Sequence, residues 1–89
     1  MKAIISTVRI ADPRERSGYL EHIAAHKGKA AGTSGFCVGD TVEYRGRNYV
    51  VTDALASEPP EPDRLYLTSH NWLRIVGVAP SACRKIRSP

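Results

Sequence analysis

Apolar and polar positions change period twice along the 89-residue chain. From Lys2 to Ile10 they alternate. Ile4, Ser6, Val8 and Ile10 point one way, and Ala3, Ile5, Thr7 and Arg9 point the other. A period of two in a stretch rich in β-branched residues predicts a half-buried strand. Asp12-Pro13-Arg14-Glu15 follows and predicts a helix start, with Asp12 as N-cap, Pro13 at the first helical position and Glu15 completing a capping box. The helix runs to about Lys27 and stops at Gly28. Its apolar stripe is Tyr19, Leu20, Ile23 and Ala24, and Gly18 within it costs about 1 kcal/mol relative to Ala. Residues 28–35 are small and read as a flexible linker. Lys29 comes too early for a phosphate-cradling loop, and no helix signal follows it.

From Phe36 the period returns to two. Phe36 to Val51 predicts a hairpin: Gly39-Asp40 opens a strand in which Val42 and Tyr44 share a face, and Arg45-Gly46-Arg47-Asn48 supplies turn residues. The second strand is Tyr49-Val50-Val51-Thr52, which places Tyr44 and Tyr49 as a cross-strand aromatic pair. Glu58-Pro59-Pro60-Glu61-Pro62 cannot join a ladder and reads as an exposed, stiff loop. Leu65–Thr68 is a third strand, Ser69-His70-Asn71 a turn, and Trp72–Val78 a fourth strand. Pro80-Ser81-Ala82 is a single helical turn, and Cys83–Ile86 a closing strand. The pattern predicts a mainly β fold: a five-stranded small β-barrel over residues 36–87, preceded by a strand and one α-helix in residues 1–28 and a linker at 29–35.

Three segments carry a resemblance at the level of the fold. They are Val38-Gly39-Asp40-Thr41-Val42, Tyr44-Arg45-Gly46-Arg47, and Trp72-Leu73-Arg74-Ile75-Val76 followed by Val78-Ala79-Pro80. Together they resemble the Src-homology-3-like small β-barrel, a fold that serves binders of RNA, DNA, ribosomes, peptides and other subunits and so implies no single function. One branch, similar to the KOW-type barrels, implies phosphate contacts from basic turns and ends. Arg45, Arg47 and Arg84 to Arg87 occupy such places. A second branch, the plasmid-borne type II dihydrofolate reductases, has a pore strand at a place similar to Arg74-Ile75-Val76. The polar amide and tyrosine of that strand are missing here, so this enzyme ranks last.

The charge is mildly basic and unevenly placed. The net charge is +4, and 42% hydrophobic with 25% charged residues is ordinary for one small globular domain. Residues 1–35 carry six basic and three acidic side chains, Asp53 to Asp63 has four acids and no base, and Arg84, Lys85 and Arg87 close the chain without an acid. Such a tail suits a phosphate backbone or an acidic protein face. The start Met-Lys-Ala-Ile-Ile-Ser-Thr lacks the features of a signal peptide, and no run reaches membrane-spanning length. The expectation is a cytoplasmic protein with no membrane association and with Cys37 and Cys83 reduced, a bridge between them being the alternative.

Candidate chemistry is sparse. His22 and His26 share a helix face, where Cys37 or His70 could join them around zinc. The zinc-protease glutamate is absent, however, since Ile23 follows His22, and two histidines near a helix C-terminus suit the dipole. Cys37 and Cys83 have no ordered partner for nucleophilic work, and Cys37 beside Val38 reads as a small buried hydrophobe. Trp72 alternates with Arg74, Val76 and Val78. If Leu73 and Ile75 face inward, Trp72 and Arg74 form an exposed pair able to stack a base or anchor a partner.

The sequence therefore points to a non-enzymatic binding module without catalytic residues, metal or cofactor. Its nucleic-acid contacts would be Arg45, Arg47, Trp72, Arg74, Arg84, Lys85 and Arg87. The alternative is a protein-interaction or self-assembling module, such as a homodimer, that uses Tyr19, Leu20 and Ile23. Size and style suit an accessory protein of a bacterium, phage or plasmid.

Overall fold

The computed structural model describes residues 5–58, 60 and 63–88. The elements are β1 (Ser6–Arg9), α1 (Pro13–His26), β2 (Thr41–Tyr44), β3 (Arg47–Leu55), β4 (Arg64–Thr68), β5 (Leu73–Val78), a 3-10 turn (Pro80–Ala82) and β6 (Arg84–Arg87). The six strands form one antiparallel sheet in the order β1-β5-β4-β3-β2-β6. The fold is mainly β with one helix, as the pattern predicts. Strands β2 to β5 run as a meander, and the Pro80 turn returns β6 to β2. Among the described residues the sheet is not closed: β1 pairs with β5, β6 pairs with β2, and no ladder joins β1 to β6, so the expected small barrel is not evident.

Bulges curl the sheet. The register slips in β3 between Val51 and Asp53, and again between Leu65 and Tyr66 of β4, across from Gly77 of β5. Gly77 sits at φ 90, a left-handed conformation that glycine adopts without steric cost. This bulge also corrects the alternation predicted for β5. Arg74 and Ile75 do face opposite ways, but the extra residue turns Val78 back into the core instead of leaving it with Arg74 and Val76. The curled inner face covers itself. Val42, Tyr44, Tyr49, Val51, Leu65, Leu67, Ile75 and Val78 form the core. Tyr44 and Tyr49 meet edge to face at 6.2 Å, as a diagonal pair, because Tyr49 lies opposite Val42.

Helix α1 begins where the sequence places it. Asp12 Oδ1 accepts from Arg14 N–H at 2.9 Å, but no bond runs between Glu15 and Asp12, so the reciprocal half of the capping box is missing. The helix stops before Gly28, at φ 84. Its packed face is rotated from the predicted stripe. Leu20 is 57% exposed and Ala24 is exposed, whereas Arg16, Tyr19, His22, Ile23 and His26 are half-buried. The docking groups are Tyr19 against Arg74, His22 on Thr52 O and Ile23 against the core.

The stretch expected as a flexible linker is hydrogen-bonded into a short hairpin. Gly28 N–H donates to Val38 O and Val38 N–H to Lys29 O, both at 2.9 Å, and Ala31 N–H donates to Phe36 O at 2.8 Å. Ala31 is 2% exposed and belongs to the core. Of the acidic proline loop, only Glu58 and Pro60 are among the described residues, both exposed; the expectation for Pro59, Glu61 and Pro62 lies outside them.

Candidate nucleic-acid interface

The basic end of the molecule is built by the β2–β3 turn. Tyr44 pairs with Arg47, which leaves Arg45 and Gly46 as a two-residue loop with φ 51 and 79. Positive φ at both central residues is the hairpin turn whose twist matches the flanking strands. The Arg45 guanidinium lies 5.2 Å from the centroid of the Tyr44 ring. Arg45 and Arg47 are exposed, and neither meets a carboxylate among the described residues.

Two adjoining grooves open beside this turn. One, of about 250 Å³, lies between Ile5 and Thr7 on one side and Tyr44, Arg45 and Arg47 on the other. The second, of about 380 Å³, lies between Arg47-Asn48 and the β4–β5 turn, Ser69-His70-Asn71. Arg47, Tyr49 and Leu73 line both, and among the described residues no carboxylate lines either. Arg9 donates to Asn71 O at 3.0 Å and adds a third cation at this end. Asn48 and Asn71 supply neutral side-chain amides, while the Ser69 hydroxyl donates to Asn71 Oδ1. The grooves can therefore receive an anionic, hydrogen-bonding chain without charge repulsion.

The other predicted basic residues are placed elsewhere. Arg84 pairs with Glu43 at 3.1 Å. Lys85 Nζ reaches Asp40 Oδ2 at 3.1 Å and Gly35 O at 3.3 Å, and lies 5.7 Å from the Phe36 ring centroid. Asp40 is fully buried, and the same oxygen accepts from Cys37 N–H at 2.8 Å. Lys85 thus neutralises a buried carboxylate, while Arg87 is exposed on β6, opposite Thr41. Arg74 lies between two rings of its own chain, 5.6 Å from Tyr19 and 5.3 Å from Tyr66. Trp72 is half-buried at φ 66, with the Arg16 guanidinium 5.5 Å from its ring centroid. In the predicted partner face, Tyr19 covers Arg74, Ile23 packs against the core, and Leu20 is exposed.

A groove of about 470 Å³ between α1 and the sheet was not legible in the sequence. Tyr19, His22, Asp53, Tyr66 and Arg74 line it. His22 Nε2 lies 2.9 Å from Thr52 O, and because a carbonyl only accepts, Nε2 carries the proton. His26 Nδ1 donates to His22 O at 3.0 Å, and the two rings lie 4.4 Å apart. His22 clips the helix to β3, whereas the His26 bond stays within the helix. Among the described residues no three His, Cys, Asp or Glu side chains gather as a metal site.

Both cysteines are free and half-buried. Burial pushes the Cys83 thiol above its ordinary value, so less of it is the reactive thiolate at neutral pH. Iodoacetamide should therefore alkylate Cys83 in the folded protein more slowly than a free thiol at pH 8. The rate should rise as pH passes the raised value, and peptide mass mapping of Cys83 follows it. A rate equal to that of free cysteine would contradict the burial effect. No protein-family model, curated protein or solved structure matches this chain.

Proposed function

We propose that this chain is a non-enzymatic nucleic-acid-binding module that seats a phosphate backbone at its arginine end. One observation carries the reading: two adjoining grooves that among the described residues have no carboxylate in their walls, lined by the exposed guanidiniums of Arg45 and Arg47, which meet none of the described acids. The tight turn, the meander and the Pro80 turn before β6 support a Src-homology-3-like arrangement as the scaffold. Arg84 and Lys85 are not part of the interface on this reading, because each is spent on an acid of its own chain.

Affinity for a mixed-sequence oligonucleotide should fall as salt rises, with a slope of about 0.7–0.9 per phosphate contacted. Arg45→Ala with Arg47→Ala should lower the slope by about 1–2 and weaken binding at low salt by tenfold or more. Both side chains are exposed, so the double variant should melt like the parent. Arg84, Lys85 and Arg87 changed together would mix binding with folding, because Lys85 holds Asp40.

A second reading, self-assembly, draws on β1. It is an edge strand with Val8 53% exposed, while the opposite edge, β6, is guarded by Arg84, Lys85 and Arg87. A stable dimer in solution with no oligonucleotide binding at low salt would overturn the nucleic-acid reading in favour of this one.

A further inference from the structure

We infer that a cleft beside the arginine end receives an unstacked nucleobase, so that the nucleic acid bound is single-stranded. The inference rests on the nucleic-acid reading above and names the substrate class of that site. The cleft, of about 270 Å³, lies between α1 and the β4–β5 turn, with walls of Leu20, Ile23, Val50 and Trp72. Ser69 and His70 line both this cleft and the groove that holds Arg47, so the apolar cleft and the cationic groove adjoin across a single turn.

Two further features fit a base. Thr68 lines the cleft, is 5% exposed, and among the described residues its hydroxyl has no hydrogen-bond partner. A buried hydroxyl without a partner is costly. Leu20 forms part of the wall although it is largely exposed and contributes nothing to the core. Apolar and aromatic walls, one unspent polar group and cations next door match a ring joined to a phosphate. A base paired within a duplex cannot insert its ring, because both of its faces are covered by stacking.

Trp72 is the only tryptophan, so its fluorescence reports on the cleft directly. The probes are a short oligothymidylate, an abasic oligomer with the same number of phosphates, and a duplex of equal length. Oligothymidylate should quench Trp72 and bind roughly tenfold more tightly than the abasic oligomer. Leu20→Ala, at an exposed position, should shrink that preference severalfold while leaving the thermal midpoint unchanged. Suppose the abasic oligomer binds as tightly without quenching, or the duplex binds more tightly than the single strand, while Arg45→Ala with Arg47→Ala still weakens binding. The base cleft is then overturned and the nucleic-acid reading stands. If no oligomer binds at low salt, both fall.

Discussion

Lys85→Met is expected to lower the free energy of unfolding by about 3 kcal/mol, measured by urea denaturation with an unchanged m-value. The side chain of Asp40 is 1% exposed and that of Lys85 is 39% exposed. Asp40 Oδ2 serves both Lys85 Nζ and Cys37 N–H, and Oδ1 has no partner. Removing the ammonium leaves a buried carboxylate with one backbone donor. Breaking a buried pair typically costs about 3–5 kcal/mol, and the partly exposed lysine end places this one at the lower limit. Adding Asp40→Asn should recover more than about 1 kcal/mol, because the amide keeps an acceptor for Cys37 N–H and carries no charge. A Lys85→Met variant within about 0.5 kcal/mol of the parent would show that Lys85 is an ordinary surface lysine. For a domain whose whole stability is about 5–15 kcal/mol, the expected loss is large.

Gly32→Ala is expected to cost about 2–4 kcal/mol, combining left-handed strain with a clash. Gly32 sits at φ 70, and a Cβ there would lie 2.6 Å from Asp63 Oδ2 and 3.1 Å from Ala54 Cβ. Asp63 is the clasp of this region. It accepts from Thr33 N–H and Ser57 N–H, each at 3.1 Å, and so ties the 28–38 hairpin to the segment between β3 and β4. Gly35→Ala is the control, since Gly35 has φ 87 and open space around its Cβ position. Strain is common to both variants, so Gly35→Ala should cost about 1–2 kcal/mol, and the difference in their thermal midpoints reports the clash. Equal midpoints would mean that Asp63 moves aside freely.

The same hairpin shows where local pattern misleads. Gly28, Gly32 and Gly35 read as the marks of a pliant linker because small residues lack side-chain signals. Their glycines instead permit left-handed turns that carry Ala31 into the core. The anchor, Asp63, lies some thirty residues away and sits beside the acidic proline loop, where it reads as one more solvated charge. Lys85 misleads in the same way. In a run of cations it looks like a phosphate contact, and only the β2–β6 pairing places it against Asp40.

Features settled within a single helical turn or hairpin are legible in the chain alone. The cap at Asp12, the stop at Gly28, a turn within Arg45–Asn48 and the Pro80 turn are of this kind, whereas the tightening of that turn to Arg45-Gly46 and the reach of β3 from Arg47 to Leu55 came from the structure. The exposure of Arg45 and Arg47 belongs here too, because both fall in the segment read as a turn. Only the tertiary structure decided that the sheet stays open, that α1 docks through His22 and Tyr19 instead of Leu20, and that His70 joins the Arg47 groove to the Trp72 cleft. Each of these depends on bulges that rotate strands and on partners far apart in sequence, so the periodicity of any one segment could not carry it.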